Sequence, residues 1–112
     1  MLNFPASLKI YLAVGVTDLR KSFNGLYALA SNQLKVDPLS GALFVFCNRK
    51  CDRVKILHRD GSGLWVYAKR LEKGRFSWPR GVALRDGKLP LRAEALSMLL
   101  SGIDLKDGTM RP

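Results

Sequence analysis

Two strand-like runs on either side of a short turn constrain this chain more than any other feature. Residues 54–59 read VKILHR and residues 64–69 read LWVYAK, and the residues between them, DGSG at 60–63, are typical of a tight turn. The pattern predicts an antiparallel β-hairpin. Because successive strand residues point to opposite faces of a sheet, the length of the turn decides which side chains share a face.

The alternation of apolar residues favours a turn with an odd number of residues, for example 60–62. One face of the hairpin is then apolar and suited to a core: Val54, Ile56, His58, Leu64, Val66 and Ala68. The opposite face is basic and aromatic: Lys55, Leu57, Arg59, Trp65, Tyr67 and Lys69. An even turn would mix the two sets and bury cations beside valines, so we expect the odd register. The alternative is that a helix covers the basic face and its aromatic residues belong to the core.

The rest of the chain predicts one α+β domain over residues 1–105, with a mainly antiparallel sheet of four or five strands packed with two helices. At 112 residues the chain has room for one core. Further strands are expected at 9–14 and 42–47, with a short edge strand at 75–78. A first helix follows a cap at Thr17 or Asp18 and ends before Pro38, and a second runs from Pro90 to about Ser101. Residues 80–89 read as a loop, and residues 106–112 as a loose tail.

The charge of the chain is strongly positive and unevenly distributed. Nineteen Lys and Arg against nine Asp and Glu give a formal net charge of +10. Residues 49–80 contain ten of the cations and only three of the acids. Such a chain is attracted to polyanions or acidic surfaces by its long-range field, which says nothing about its fold.

Aromatic residues are interleaved with the cations in residues 64–80, LWVYAKRLEKGRFSWPR. Flat rings stack on bases and cations neutralise phosphates, so the combination predicts a nucleic-acid-binding surface. The residues expected to stack are Trp65, Tyr67 and Trp78. The cations expected to contact phosphate, or to lie in the same patch, are Arg49, Lys50, Arg53, Lys55, Arg59, Lys69, Arg70, Lys73, Arg75 and Arg80. The opposing interpretation is a core of aromatics surrounded by solvated cations.

Other classes of site find little support in the sequence. Cys47, Cys51 and His58 are too few for a tetrahedral zinc site, and two cysteines do not form a disulfide framework. The acids are scattered singly, which disfavours metal-dependent strand cleavage, and no phosphate-binding glycine loop is present. We therefore expect no enzyme activity, no metal and no cofactor. The TDLRK segment at 17–21 could bind a phosphate, although a helix cap with solvated cations is the favoured interpretation.

No apolar run approaches the length of a membrane span, and the N-terminus lacks the pattern of a signal peptide. We therefore expect a reduced, cytoplasmic protein.

Three stretches in order carry a family resemblance: VGVTDLRKSFNGLYAL at 14–29, SGALFVFCNRKCDRVKILHRDGSGLWVYAKRLEKGRFSWP at 40–79, and LSGIDL at 100–105. Together they resemble the small TnpB accessory protein of the insertion-sequence-66 family of bacterial transposons. The chain departs from that family's common residues at Ser22, Asn24, Cys47 and Cys51. The resemblance implies a role in DNA transposition beside a separate transposase, without strand cleavage, and brings no catalytic residues with it.

The sequence thus predicts a non-catalytic transposition factor that binds DNA, at the element ends, through its basic and aromatic surface. Its expected partners are that DNA and the transposase, and it would be associated with the nucleoid when bound. The alternative is a protein-interaction subunit that docks on the transposase without binding DNA, because an aromatic surface with a charged rim suits that role as well. The sequence leaves the oligomeric state open.

Overall fold

A computed structural model describes residues 7–80 and 85–102 as a five-stranded mixed sheet with helices packed against it. The strands are β1 (Ile10–Ala13), β2 (Leu43–Cys47), β3 (Arg53–Arg59), β4 (Leu64–Arg70) and β5 (Lys88–Leu91), and the helices are α1 (Phe23–Ala28) and α2 (Ala93–Leu100). A π-helical turn at Leu29–Gln33 extends α1, and 3-10 turns lie at Pro38–Ser40 and Arg85–Gly87. The predicted α+β class is confirmed, and the sheet is mostly antiparallel.

The strand order is β4-β3-β2-β1-β5, so β4 and β5 form the two edges. β1 and β2 are parallel, and every other neighbouring pair is antiparallel. Parallel neighbours need a crossover, which the segment containing α1 provides. The loop after β1 and the turn after β2 consequently leave the sheet at the same end, although they are about 30 residues apart in sequence.

Both faces of the sheet are apolar and covered. One, called the α2 face, packs against α2 and residues 76–78: Ile10, Leu12, Leu43, Val45, Cys47, Val54 and Ile56. The other, called the α1 face, packs against α1 and its π-helical extension: Ala13, Phe44, Phe46 and Leu57. Burial of these side chains on two sides is the main stabilising contribution to the fold.

The expected edge strand at 75–78 is wrong. Phe76 and Trp78 lie instead in irregular chain packed against the α2 face, where they are 1% and 9% exposed. The fifth strand is β5, in a stretch predicted as loop and helix start, and it pairs with β1. Pro90 lies inside β5, which an edge strand tolerates because one side of its backbone needs no partner. The expected tail at 106–112 lies outside the described residues.

The expected helix cap at Thr17 or Asp18 is also wrong, because α1 begins only at Phe23. The Thr17 N–H donates to the carbonyl of Cys47 at 2.9 Å, which ties the β1–α1 loop to the end of β2. The Asp18 carboxylate accepts hydrogen bonds from Arg20. Contacts made by the loop have replaced the local capping interaction that the sequence suggested.

The expected odd register of the hairpin is contradicted by a turn of four residues, 60–63. β3 pairs with β4 so that His58 lies opposite Trp65 and Ile56 opposite Tyr67. The expectation assumed that one face of the hairpin is open, but with both faces covered either register buries apolar side chains. The basic and aromatic residues are therefore divided between the faces.

The Asp60 carboxylate is the local feature that fits the four-residue turn. It accepts hydrogen bonds from the N–H groups of Ser62 (3.0 Å) and Gly63 (3.1 Å) and from Nε1 of Trp65 (2.6 Å). These bonds, of which the one from Trp65 contributes most, hold the pKa of Asp60 well below its usual range. The turn thus satisfies its own backbone donors and fixes the ring of Trp65 at the same time.

Candidate nucleic-acid interface

The aromatic residues of the predicted site lie in different environments. Trp65 is 51% exposed and stacks parallel to Tyr67, with ring centroids 5.8 Å apart. Trp78 is buried, and its Nε1–H donates to the carbonyl of Ala13 at 2.9 Å. The ring of Trp78 belongs to the core, which does not fit the predicted stacking on bases. Trp65 keeps an open ring surface beside the edge strand β4.

The sequence predicted that the cations and these rings share one face, but most cations of the hairpin lie on the opposite face. Register places Arg53, Lys55, Arg59 and Arg70 on the α1 face of the hairpin, whereas Trp65, Tyr67 and Lys69 lie on the α2 face. The single basic and aromatic face expected from the sequence is not formed. The cations gather instead where the α1 side of the hairpin meets the loops at one end of the sheet.

A cleft at this end of the sheet lies between residues 16–20 of the β1–α1 loop and residues 48–53 of the β2–β3 turn. We call it the loop cleft, and its volume is about 700 Å³. Its charged lining residues are Arg20, Arg49, Lys50 and Arg53, with the acids Asp18 and Asp52. It lies beyond the carboxyl ends of the parallel strands β1 and β2, where sheets with parallel strands commonly bind their ligands.

The two acids of the loop cleft each have a partner. Arg20 forms an ion pair with Asp18 at 2.7 Å, and this hydrogen bonding lowers the pKa of Asp18 to about 2. Nδ2 of Asn48 donates to the Asp52 carboxylate at 2.7 Å, which lowers the pKa of that carboxyl. In the described part of the chain, the side chains of Arg49, Lys50 and Arg53 form no ion pair. Three cations of the cleft are thus available to an anion.

A second depression, the strand groove, continues from the loop cleft along the hairpin. Its volume is about 430 Å³, and it shares Leu19 and Arg53 with the loop cleft. Its cationic lining residues are Arg53, Lys55, Lys69 and Arg70. Nζ of Lys55 donates to the carbonyl of Lys21 at 3.0 Å, so this ammonium is positioned against the β1–α1 loop. We call the loop cleft and strand groove together the cationic track.

Arg80 has a different place from the one predicted. Its guanidinium is partly buried and donates to the carbonyls of Val14 and Asn48 and to Sγ of Cys51. It therefore connects the chain that follows β1 with the turn that follows β2. The prediction that Arg80 contacts phosphate does not fit these contacts, since the donors point into the protein.

The remaining predicted cations lie outside the track. Arg59 is at the far end of β3, about 20 Å from Arg53 at 3.3 Å per residue, and donates weakly to the carbonyl of Gly61. Lys73 and Arg75 are exposed but line neither cleft. Arg20 lines the track although it was not among the predicted site residues. The TDLRK segment was its signal in the sequence.

Among the described residues, no three His, Cys, Asp or Glu side chains come together as a metal site would require. Burial raises the pKa of the Cys47 thiol to about 12, so this thiol stays protonated at neutral pH. Within the same residues no helix is long and apolar enough to cross a membrane.

An apolar groove of about 480 Å³ lies on the other side of β4, between the hairpin and the end of α2. Its lining includes Val54, Ile56, Tyr67, Ala68 and Leu100. Nζ of Lys69 donates to the carbonyl of Leu100 at 2.6 Å, which binds the hairpin to the C-terminal end of α2. This groove, which we call the α2-face groove, borders the strand groove at the hairpin, where Val54, Ala68 and Lys69 line both.

Fold and surface together define a class: a small basic α+β protein whose cations line two adjoining clefts at one end and one side of its sheet. A family model described as IS66 Orf2-like protein matches residues 8–109, and the chain belongs to this family. Membership associates the protein with an insertion sequence, as an accessory protein of transposition. The resemblance seen in the sequence is confirmed.

Two proteins of Sinorhizobium fredii are similar to the chain over nearly its whole length. Uncharacterized protein y4jC is 38% identical over 104 residues, which cover 93% of this chain and 86% of the relative. Uncharacterized protein y4hO is 38% identical over 114 residues, covering 100% of this chain and 96% of the relative. No solved structure matches the chain.

Proposed function

We propose that the protein is a non-catalytic accessory factor of transposition that binds the DNA of its element along the cationic track. The observation that supports this most is the gathering of six cations on two adjoining clefts lined by only two acids, not counting Lys69, whose ammonium donates to the carbonyl of Leu100: Arg20, Arg49, Lys50, Arg53, Lys55 and Arg70. Both acids are already engaged by Arg20 and Asn48. The track therefore presents an excess of positive charge in one place.

DNA is the polyanion that such a track fits, given the family. Each phosphate neutralised by a Lys or Arg releases condensed counterions, so affinity is expected to fall steeply with salt. The contacts are with the backbone, which predicts binding to many sequences. Trp65 extends the proposal to unpaired strands, because its open ring surface beside β4 could stack on a base that leaves the track. In the cell the protein would then reside on the nucleoid.

Gel-shift assays with DNA from the element ends test this function. Duplex and single-stranded forms are compared with random sequences of equal length, with and without the transposase. We expect the protein alone to shift both the element-end DNA and the random DNA at low salt. The shift of both should disappear as the salt concentration increases. Absence of a shift under all of these conditions, in the presence of a folded protein, would reject DNA binding.

The α2-face groove favours a second candidate function, a subunit that docks on the transposase. Its lining is mostly apolar and reaches from the hairpin to the end of α2, so an apolar segment of the transposase could bind there. Ser97 is exposed and lines this groove but neither part of the cationic track. A Ser97→Glu variant should lose capture of the transposase at high salt if docking occurs there, and unchanged capture would reject the groove as the contact.

A further inference from the structure

We propose that the loop cleft is a preformed seat for a phosphate group, bound by Arg49, Lys50 and Arg53, with Arg80 as a positioning residue behind it. The inference rests on the proposed DNA binding and makes it more specific. It assigns one chemical group of the ligand to one part of the track. The strand groove would then follow the neighbouring phosphates.

The two walls of the cleft are fixed to each other. The N–H of Thr17 donates to the carbonyl of Cys47 at 2.9 Å, which ties the β1–α1 loop to the end of β2. Within the opposite wall, Oδ1 of Asn48 accepts from the N–H groups of Asp52 and Arg53, both at 3.2 Å. The turn that carries Arg49 and Lys50 is thereby held by its own first residue.

The same turn is also held from the α2 side. The carbonyl of Asp52 accepts from the N–H of Leu71 at 2.9 Å, and the carbonyl of Cys51 accepts from the N–H of Phe76 at 2.7 Å. Phe76 is anchored in the core, so these bonds connect the turn to the most buried part of the molecule. Because the backbone of the wall is already ordered, little further ordering is needed when a ligand binds.

Arg80 gives an independent reason to expect an anion. It is partly buried, and its three acceptors are the carbonyls of Val14 and Asn48 and the sulfur of Cys51, none of them a carboxylate. No carboxylate within the described ranges forms an ion pair with it. A partly desolvated cation without a counter-ion is unfavourable, and an anion in the adjacent cleft would offset that charge.

The chemistry of the lining selects a phosphate. Guanidinium groups offer paired donors that match two phosphate oxygens, and an ammonium adds a compact charge. The ligand could be a phosphodiester within a strand or a phosphomonoester at a strand end, since both present such oxygens. The experiment distinguishes them by using duplexes that carry either a 5′-phosphate or a 5′-hydroxyl.

Amide chemical shifts of the ¹⁵N-labelled full chain, titrated with inorganic phosphate and then with these duplexes, test the seat. We expect saturable shifts at Thr17 and at residues 48–53. The double variant Arg49→Ala/Lys50→Ala should bind phosphate about tenfold more weakly. The control Lys9→Ala/Arg92→Ala removes equal charge at exposed positions that line neither cleft, and should change affinity less than about twofold.

Tighter binding of the 5′-phosphorylated duplex would identify a strand end as the ligand, and equal binding of the two duplexes would identify an internal phosphodiester.

Arg80 is tested by two substitutions of similar length. Arg80→Met removes the charge and should weaken phosphate binding, whereas Arg80→Lys should restore part of it at a matched melting temperature. Phosphate affinity of Arg80→Met equal to that of the wild type would remove Arg80 from the proposal.

The phosphate seat and the proposed DNA binding can be rejected separately. Phosphate shifts outside the cleft, or equal phosphate affinity of the Arg49/Lys50 variant and its control, would overturn the seat even if the protein binds DNA. Saturable phosphate binding in the cleft without any binding of DNA would support the seat and overturn the proposed function.

Discussion

Trp65 and Trp78 have similar sequence surroundings but different environments in the folded chain. Both lie in the same basic segment, and the sequence offered no local reason to separate them. The difference comes from a distant partner, because Nε1–H of Trp78 donates to the carbonyl of Ala13. Trp65 donates to Asp60 and stacks on Tyr67, both on its own hairpin. Contacts 65 residues apart in sequence cannot be predicted from composition or spacing alone.

Replacing each tryptophan by phenylalanine should separate the two roles. Trp78→Phe removes a buried hydrogen bond and leaves a small cavity, so we expect a loss of about 2 kcal/mol in the free energy of unfolding. Trp65→Phe removes the exposed hydrogen bond to Asp60, which water can replace, and should change it by less than about 1 kcal/mol. Urea denaturation followed by circular dichroism measures both. Equal effects would contradict the assigned environments.

Asp60 should make the stability of the hairpin depend on acid pH. Its folded-state pKa lies below the ordinary value of 3.8, so its contribution is fully present above that value. The contribution is lost progressively as the pH falls through the lowered folded-state pKa. Asp60→Asn has no carboxylate to protonate, so its unfolding free energy should vary less over the same acid range. Identical pH profiles would show that the carboxylate does not stabilise the turn.

At the scale of elements, the sequence predicted the hairpin strands, the buried strand β2 and the last helix, because each carries its own apolar pattern. It missed β5, whose four residues contain a proline and little alternation, and it placed a strand at 75–78 instead. The register failed for a different reason. Apolar alternation can choose a register only when one face is solvated, and here both faces are covered.

Deleting Ser62 would shorten the turn to three residues and impose the odd register. Trp65 and Lys69 would then turn towards the α1 face, and the bonds to Asp60 would be lost. We expect a clearly lower melting temperature and a changed amide spectrum along β4. Ser62→Ala keeps four residues and should remain close to the wild type. A deletion variant with wild-type stability would show that the register is weakly specified.

Several residues of the candidate site could be predicted from the sequence, but their arrangement in space could not. Arg49, Lys50 and Arg53 were expected from charge alone, and all three line the loop cleft. Arg20 joins them only because parallel pairing of β1 and β2 brings two distant loops together. No local pattern in the sequence announces this contact.

Over the whole molecule, the formal net charge is +10, and the cations are not spread evenly over the surface. The cationic track lies at one end of the sheet and along the hairpin, and the α2-face groove adjoins it at β4, where Val54, Ala68 and Lys69 line both. The basic and the apolar surface are therefore neighbours and do not form the single mixed face that the sequence suggested.

The most direct test of the account compares two triple-alanine variants by fluorescence anisotropy with labelled element-end duplex over a series of salt concentrations. Arg53→Ala/Lys55→Ala/Arg70→Ala removes three cations from the track, and Lys9→Ala/Lys35→Ala/Arg92→Ala removes three exposed cations outside it. We predict that the track variant binds roughly 100-fold more weakly at low salt, with a salt slope smaller by about 2 to 3, while the control stays near the wild type. Equal losses in both variants would show that DNA responds only to net charge and would contradict a binding track.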